Sequence, residues 1–180
     1  MHASASPRCQ QDRGAVLVEF ALVLPVLMML LLGMVSGASA WNQSQGLGQG
    51  GRVAARYAST LPLPASITET TMTTWLDGIT DRAIAASEAT MTTGVAGRAV
   101  CVAYVNPAGS AIDQTYSRRI NATGTRTYGV TECFSDGQGT SEIRVQVLME
   151  RDGFLDVGFY RHALYLRRNV VYRYEADGGI

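Results

Sequence analysis

Three features of the sequence predict an α+β fold. A long apolar helix opens the chain, a shorter amphipathic helix follows it, and the rest reads as a small antiparallel β-sheet. The chain has 180 residues, of which 47% are hydrophobic and only 17% charged. That length accommodates one membrane segment and one small domain. The 15 basic residues, all Arg, balance 15 acids. The missing basic surplus argues against a nucleic-acid partner. The absence of Lys removes Schiff-base and phosphate-lysine chemistry.

The first element is the run from Ala15 to Val35, which carries one charge, Glu19. As a helix it covers about 31 Å, one hydrocarbon core. Small residues extend it to Ala40, and Trp41 follows as an interface-type aromatic. The rival is a secretory signal peptide, for which Ala38-Ser39-Ala40 supplies a small-x-small cleavage pattern. Its apolar core is normally shorter than this run, and it has no use for Glu19. An acid in lipid costs roughly 2.5–3.5 kcal/mol on insertion scales. The run is therefore expected to be a transmembrane helix over residues 15–40. Arg8 and Arg13 precede it, so residues 1–14 are expected in the cytoplasm and everything beyond the membrane outside it. The expected location is a cell membrane, crossed once, with the lipid bilayer as a partner.

Residues 1–14 form a polar leader ending in Arg13-Gly14. Glu19 and Phe20 are the fifth and sixth residues after Gly14. This arrangement resembles the type IVb prepilin signal, in which a Gly closes a hydrophilic leader and a Glu-aromatic pair stands at the fifth and sixth mature positions. The segment RGAVLVEFALVLPVLMMLLLG is similar to the start of the TadE/TadG-like family of tight-adherence (Tad/Flp) pilus assembly proteins. The likeness continues more weakly through QGGRVAARYASTLP, to Pro62.

The resemblance implies a pilin-like layout and a minor pilin or pseudopilin role in a Tad/Flp pilus or related secretion system. It implies cleavage after Gly14 by a prepilin peptidase, leaving Ala15 as the new amino terminus, and assembly with other pilus or pseudopilin subunits. Physically, a Glu in lipid needs a partner. The Ala15 amine of a neighbouring subunit can be that partner for Glu19, with Phe20 beside it, and the pairing would fix the stagger of packed helices. The bland alternative is a Glu19 that snorkels to the headgroups. A second function remains open: a membrane-tethered extracytoplasmic binding domain without a pilus role.

Residues 41–64 read as a membrane-proximal hinge with a short helix over 52–58, because Gly46, Gly48, Gly50 and Gly51 each weaken a helix by roughly 1 kcal/mol. Gly46, Gly48 and Gly51 also match G-x-G-x-x-G, but no strand precedes them, so the dinucleotide reading fails. Residues 65–180 are expected to form the extracytoplasmic α+β domain. A second helix is expected over 66–90, opened by a Ser66/Glu69 capping box, with Met72, Trp75, Leu76, Ile79, Ala83 and Ala86 as its core stripe.

Strands are expected at Arg98–Val105, Thr125–Phe134, Glu142–Glu150 and Arg168–Glu175, with 110–124 as loop and Asp152-Gly153 as a break. In the third strand, Ile143, Val145, Val147 and Met149 alternate with polar residues. Leu148 is the one apolar residue on the polar side.

Cys9 lies in the leader. Cys101 and Cys133 lie outside it and suggest a disulfide; the alternatives are free buried thiols, or a catalytic thiol with His162. With Cys9 and His2 in the leader, the two Cys and one His that follow it fall short of a tetrahedral zinc site. No hydrolase, zincin or phosphate-loop motif is present, so neither an enzyme, a cofactor nor a metal is expected.

Overall fold

The computed structural model describes residues 8–106, 116–130, 133, 142–156 and 160–175. Helix α1 runs unbroken from Arg8 to Thr60, through Pro25. Each of residues 14–32, most of them apolar, is exposed. Beyond Gly46 the same helix enters the folded domain, where Leu47, Ala54, Ala55 and Ala58 are fully buried.

The hinge expected over 41–51 is therefore absent. Its glycines serve close approach instead of bending. A Cβ at Gly50 would lie 2.8 Å from the Ala83 carbonyl oxygen and 2.8 Å from the Ser87 Cβ, and one at Gly51 would lie 2.9 Å from Val170 Cγ2. The propensity lost at each Gly is offset by packing that no larger residue allows.

Helix α2 spans Glu69–Ser87 and continues as a 3-10 turn over Glu88–Met91. The expected stripe is buried at Met72, Trp75, Leu76, Ile79 and Ala83. The cap is displaced from Ser66/Glu69: the Thr71 amide donates to Thr68 Oγ1 at 3.3 Å and the Thr68 amide to Thr71 Oγ1 at 3.0 Å. Two threonines thus make the reciprocal cap, and the helix starts later.

Five antiparallel strands follow in the spatial order β3-β2-β1-β4-β5: β1 Ala99–Val105, β2 Tyr116–Ile120, β3 Arg126–Tyr128, β4 Arg144–Asp156 and β5 Arg161–Arg173. Two expectations are corrected here. Part of the polar stretch 110–124 is β2, an inner strand, and the expected strand at 125–134 is only three residues long among the described residues. Asp152-Gly153 does not break β4. The strand passes through it to pair thirteen residues of β5, with Gly153 opposite Leu164. The sheet is no simple meander, because β1 sits centrally between β2 and β4.

One face of the sheet packs on both helices through Val100, Val102, Tyr104, Val145, Val147 and Met149. Trp75, Tyr104 and Tyr174 meet edge to face there, with centroids 5.5 to 6.4 Å apart. The Trp75 indole donates to the Pro62 carbonyl oxygen at 3.1 Å, and the Tyr174 hydroxyl to that of Leu61 at 2.9 Å. On the opposite face Cys101, Ala103, Val105 and Leu148 form a second apolar cluster with Cys133.

Candidate functional site

The candidate site begins on the exposed half of α1. Gly14 and Ala15 lie within the helix, and a Cβ at Gly14 would meet nothing within 4 Å. Glu19 follows Ala15 by four residues, one helical turn, and so shares its face. Glu19 is exposed and makes no hydrogen bond or ion pair with a described residue. Around it Val16, Leu17, Val18 and Phe20 are all at least 60% exposed. A helix apolar on every side has lipid or other apolar helices as its natural surroundings. Among the described residues one helix is long and apolar enough to cross a membrane, which suits it to a single-pass anchor. Between Ala15 and Val35 Glu19 is the one charged residue.

The cysteine pair lies far from this segment. Cys101 on β1 and Cys133 are joined as a disulfide, with Cα atoms 5.1 Å apart. Neither sulfur is left as a thiol, so a dyad with His162 has no nucleophile. His162 stands on β5 and stacks on Tyr160 with centroids 6.2 Å apart. Among the described residues no group of three or more His, Cys, Asp or Glu is placed to hold a metal ion. The grooves at the surface are shallow; one of about 340 Å³ lies between α1 and the end of α2, beside Gly46, Gln49 and Ser87.

Two charge clusters escaped the sequence reading. Asp77 on α2 accepts from Arg118 Nε at 2.8 Å and from Arg126 Nη1 at 2.8 Å, and Asp81 accepts from Arg126 Nη2 at 2.6 Å. These bonds pin α2 to β2 and β3. The Asp77 hydrogen bond, chiefly, holds the Arg126 guanidinium above its ordinary range. On the sheet's other face Glu150, nearly buried, accepts from Arg167 Nε at 3.1 Å. The Tyr165 phenol is pushed up to about 12, by lost hydration at its hydroxyl and then by its hydrogen bond to Glu150. Only the i, i+4 acids of α2 hinted at either cluster; the partners come from strands whose register the sequence does not state. Both clusters are satisfied internally and hold elements together.

Residues 14–56 match the family described as TadE-like protein, and this is the segment whose Gly14, Glu19 and Phe20 carry the resemblance. The match covers the apolar helix and its buried continuation, and leaves the sheet outside it. No curated protein and no solved structure matches the chain.

Proposed function

With residues 14–56 matching TadE-like proteins, we propose that the chain is a minor pilin or pseudopilin of a Tad/Flp type IVb pilus or related secretion system. It acts as a structural or assembly component and not as an enzyme. A prepilin peptidase removes the leader on the cytoplasmic side by cutting after Gly14. The free Ala15 amine then pairs with Glu19 of a neighbouring subunit, and Phe20 packs beside the pair. The extracytoplasmic sheet domain is carried outside the membrane.

One observation carries this reading: Glu19 is the one charge between Ala15 and Val35 and has no partner among the described residues, on an exposed apolar helix within the TadE-like segment. Gly14 adds to it as a helix-weakening residue, by about 1 kcal/mol, at the leader junction. A buried half-pair is costly, typically several kcal/mol, so an acid held within the bilayer calls for a cation supplied by a neighbouring chain.

The test is Glu19→Ala in membranes of cells expressing the other pilus components. Insertion should be intact or improved and the amino terminus should still begin at Ala15, whereas crosslinking to other subunits should be lost. Normal crosslinking would sink the pairing. An uncut amino terminus in the wild type would favour a tethered binding domain, a reading helped by the sheet's position outside the matched segment.

A further inference from the structure

Two arginines converge on one stretch of α1. Ser44, Gly48 and Arg52 follow one another at four-residue intervals and so share a face of the helix. Arg52 folds back along that face. Its Nε donates to the Gly48 carbonyl oxygen at 3.1 Å, and its Nη2 lies 3.3 Å from where a Cβ at residue 48 would stand. From β5, Arg168 reaches the same face: its Nε and Nη2 donate to Ser44 Oγ at 3.0 and 2.7 Å. Both arginines line a groove of about 330 Å³ between α1 and β5, together with Ser44, Gln45 and Gly48. Gly48, with no side chain, leaves the room that Arg52 folds into.

The two walls of this groove hold no acid. α1 has no Asp or Glu from Phe20 to Thr60, and β5 has none from Arg161 to Arg173. The acids of β4, Glu150, Asp152 and Asp156, alternate with the positions of Val147 and Met149, which are buried against the helices, and so face the other side of the sheet. Neither Arg52 nor Arg168 forms an ion pair with a described residue. The Nη groups of Arg52 and the Nη1 of Arg168 make no hydrogen bond with a described residue. Ser44 Oγ accepts twice from Arg168, which leaves its own hydrogen to donate. Two like charges brought to one groove repel each other until an anion lies between them.

We propose that this groove is a binding site for a phosphate group. Arg52 and Arg168 hold its oxygens from the two walls, and the Ser44 hydroxyl donates a further hydrogen bond. Phosphate suits the groove better than carboxylate because two guanidinium charges have to be met. A phosphate monoester carries about −1.5 to −2 charges near neutral pH, and a carboxylate carries a single one. Ser44 follows Ala40, the expected end of the membrane segment, by four residues, about 6 Å along the axis. The phosphate is therefore either free in solution or the headgroup of a lipid in the leaflet beside the groove, and the chemistry is the same for both. The site stands independently of the pilus reading; only its lipid source rests on α1 being a membrane anchor.

The test uses the full chain in a neutral detergent, with inorganic phosphate as the probe, titrated calorimetrically at fixed ionic strength. One phosphate per chain should bind, and the thermal midpoint should rise saturably with it. Arg52→Gln should weaken binding by about tenfold or more. It should leave the phosphate-free melt unchanged, since Arg52 is exposed and bonds only to its own helix. Arg168→Gln should weaken binding as much, and Arg56→Gln, exposed on α1 and outside the groove, should leave it intact. A wild-type chain that shows neither binding heat nor midpoint shift would overturn the proposal. So would equal affinity in Arg52→Gln, which would mean an ion bound elsewhere. Acetate binding as tightly as phosphate would overturn the stated chemistry in favour of a carboxylate from a partner protein. Vesicles then separate the two sources of phosphate. Phosphatidic acid added to phosphatidylcholine should abolish uptake of inorganic phosphate where the headgroup fills the groove, and unchanged uptake assigns the free anion; the site stands in either case.

Discussion

Leu148 and Cys101 stand opposite each other across β4 and β1, on the face of the sheet turned away from both helices. Leu148 is the apolar residue that interrupts an otherwise polar side of β4. The disulfide holds Cys133 and Val130 against that side, where Arg144, Gln146, Leu148 and Glu150 are buried, while Val145, Val147 and Met149 are buried against the helices.

Breaking the disulfide should therefore loosen that face and spare the helix face. Alkylation of exported protein before and after reduction should differ by two labels. The bridge closes a separation of 32 residues. In the chain-entropy model that contributes about 3–4 kcal/mol. Denaturant unfolding of Cys101→Ser, Cys133→Ser should show a loss of about that size. Identical labelling in both states would refute the bond.

The glycines should separate by position. Gly51→Val pushes a branched side chain at Val170 and Gly50→Ala pushes a methyl at the Ala83 backbone; each should destabilise by about 1–3 kcal/mol. Gly78, midway along α2, has nothing within 4 Å of an added Cβ. Gly78→Ala should stabilise by up to about 1 kcal/mol, through helix propensity alone. Thermal melts of the three variants in detergent decide it. A flexible region over 42–51 would instead tolerate both replacements there.

Tyr165 gives the pH dependence. Its folded value, about 12, lies above the ordinary 10. Lost hydration first, and then the hydrogen bond to Glu150, favour the neutral phenol, so its contribution is full below pH 10 and is lost as pH rises from about 10 through 12. In difference absorbance against Tyr165→Phe, the missing phenolate step should centre near 12. The stability gap between the two proteins should be flat below pH 10 and shrink above it. A step centred near 10 would mean that Glu150 does not hold the hydroxyl.

Much of this fold is written in local pattern. The run 15–35, the α2 stripe and the alternation from Ile143 to Met149 each state a period and a buried face. What was missed depends on partners distant in the chain. Tyr116-Ser-Arg-Arg-Ile120 reads as loop because Arg118 and Arg119 are charged. In the fold they point to opposite faces, one to Asp77 on α2 and the other toward Glu150 on β4. Gly153 reads as a break because nothing local shows the β5 strand that pairs it. The glycines of 46–51 read as slack because propensity counts their cost and cannot see Ala83, Ser87 and Val170. In the candidate site, Gly14, Glu19 and Phe20 were legible as an acid and its junction in an apolar run.

The unbroken course of α1 has a mechanical consequence. Its 53 residues make a rod of about 80 Å. The outer third is clamped by α2, β4 and β5, and below the clamp the helix continues unbroken through Pro25. Axial force applied near Glu19 would reach the sheet domain with little slack, and a twist of the lower helix would turn the domain through a comparable angle. Such a part behaves as a push-rod and not as a tether. Movement of the apolar end of α1 along or about its axis would thereby be reported directly at the sheet.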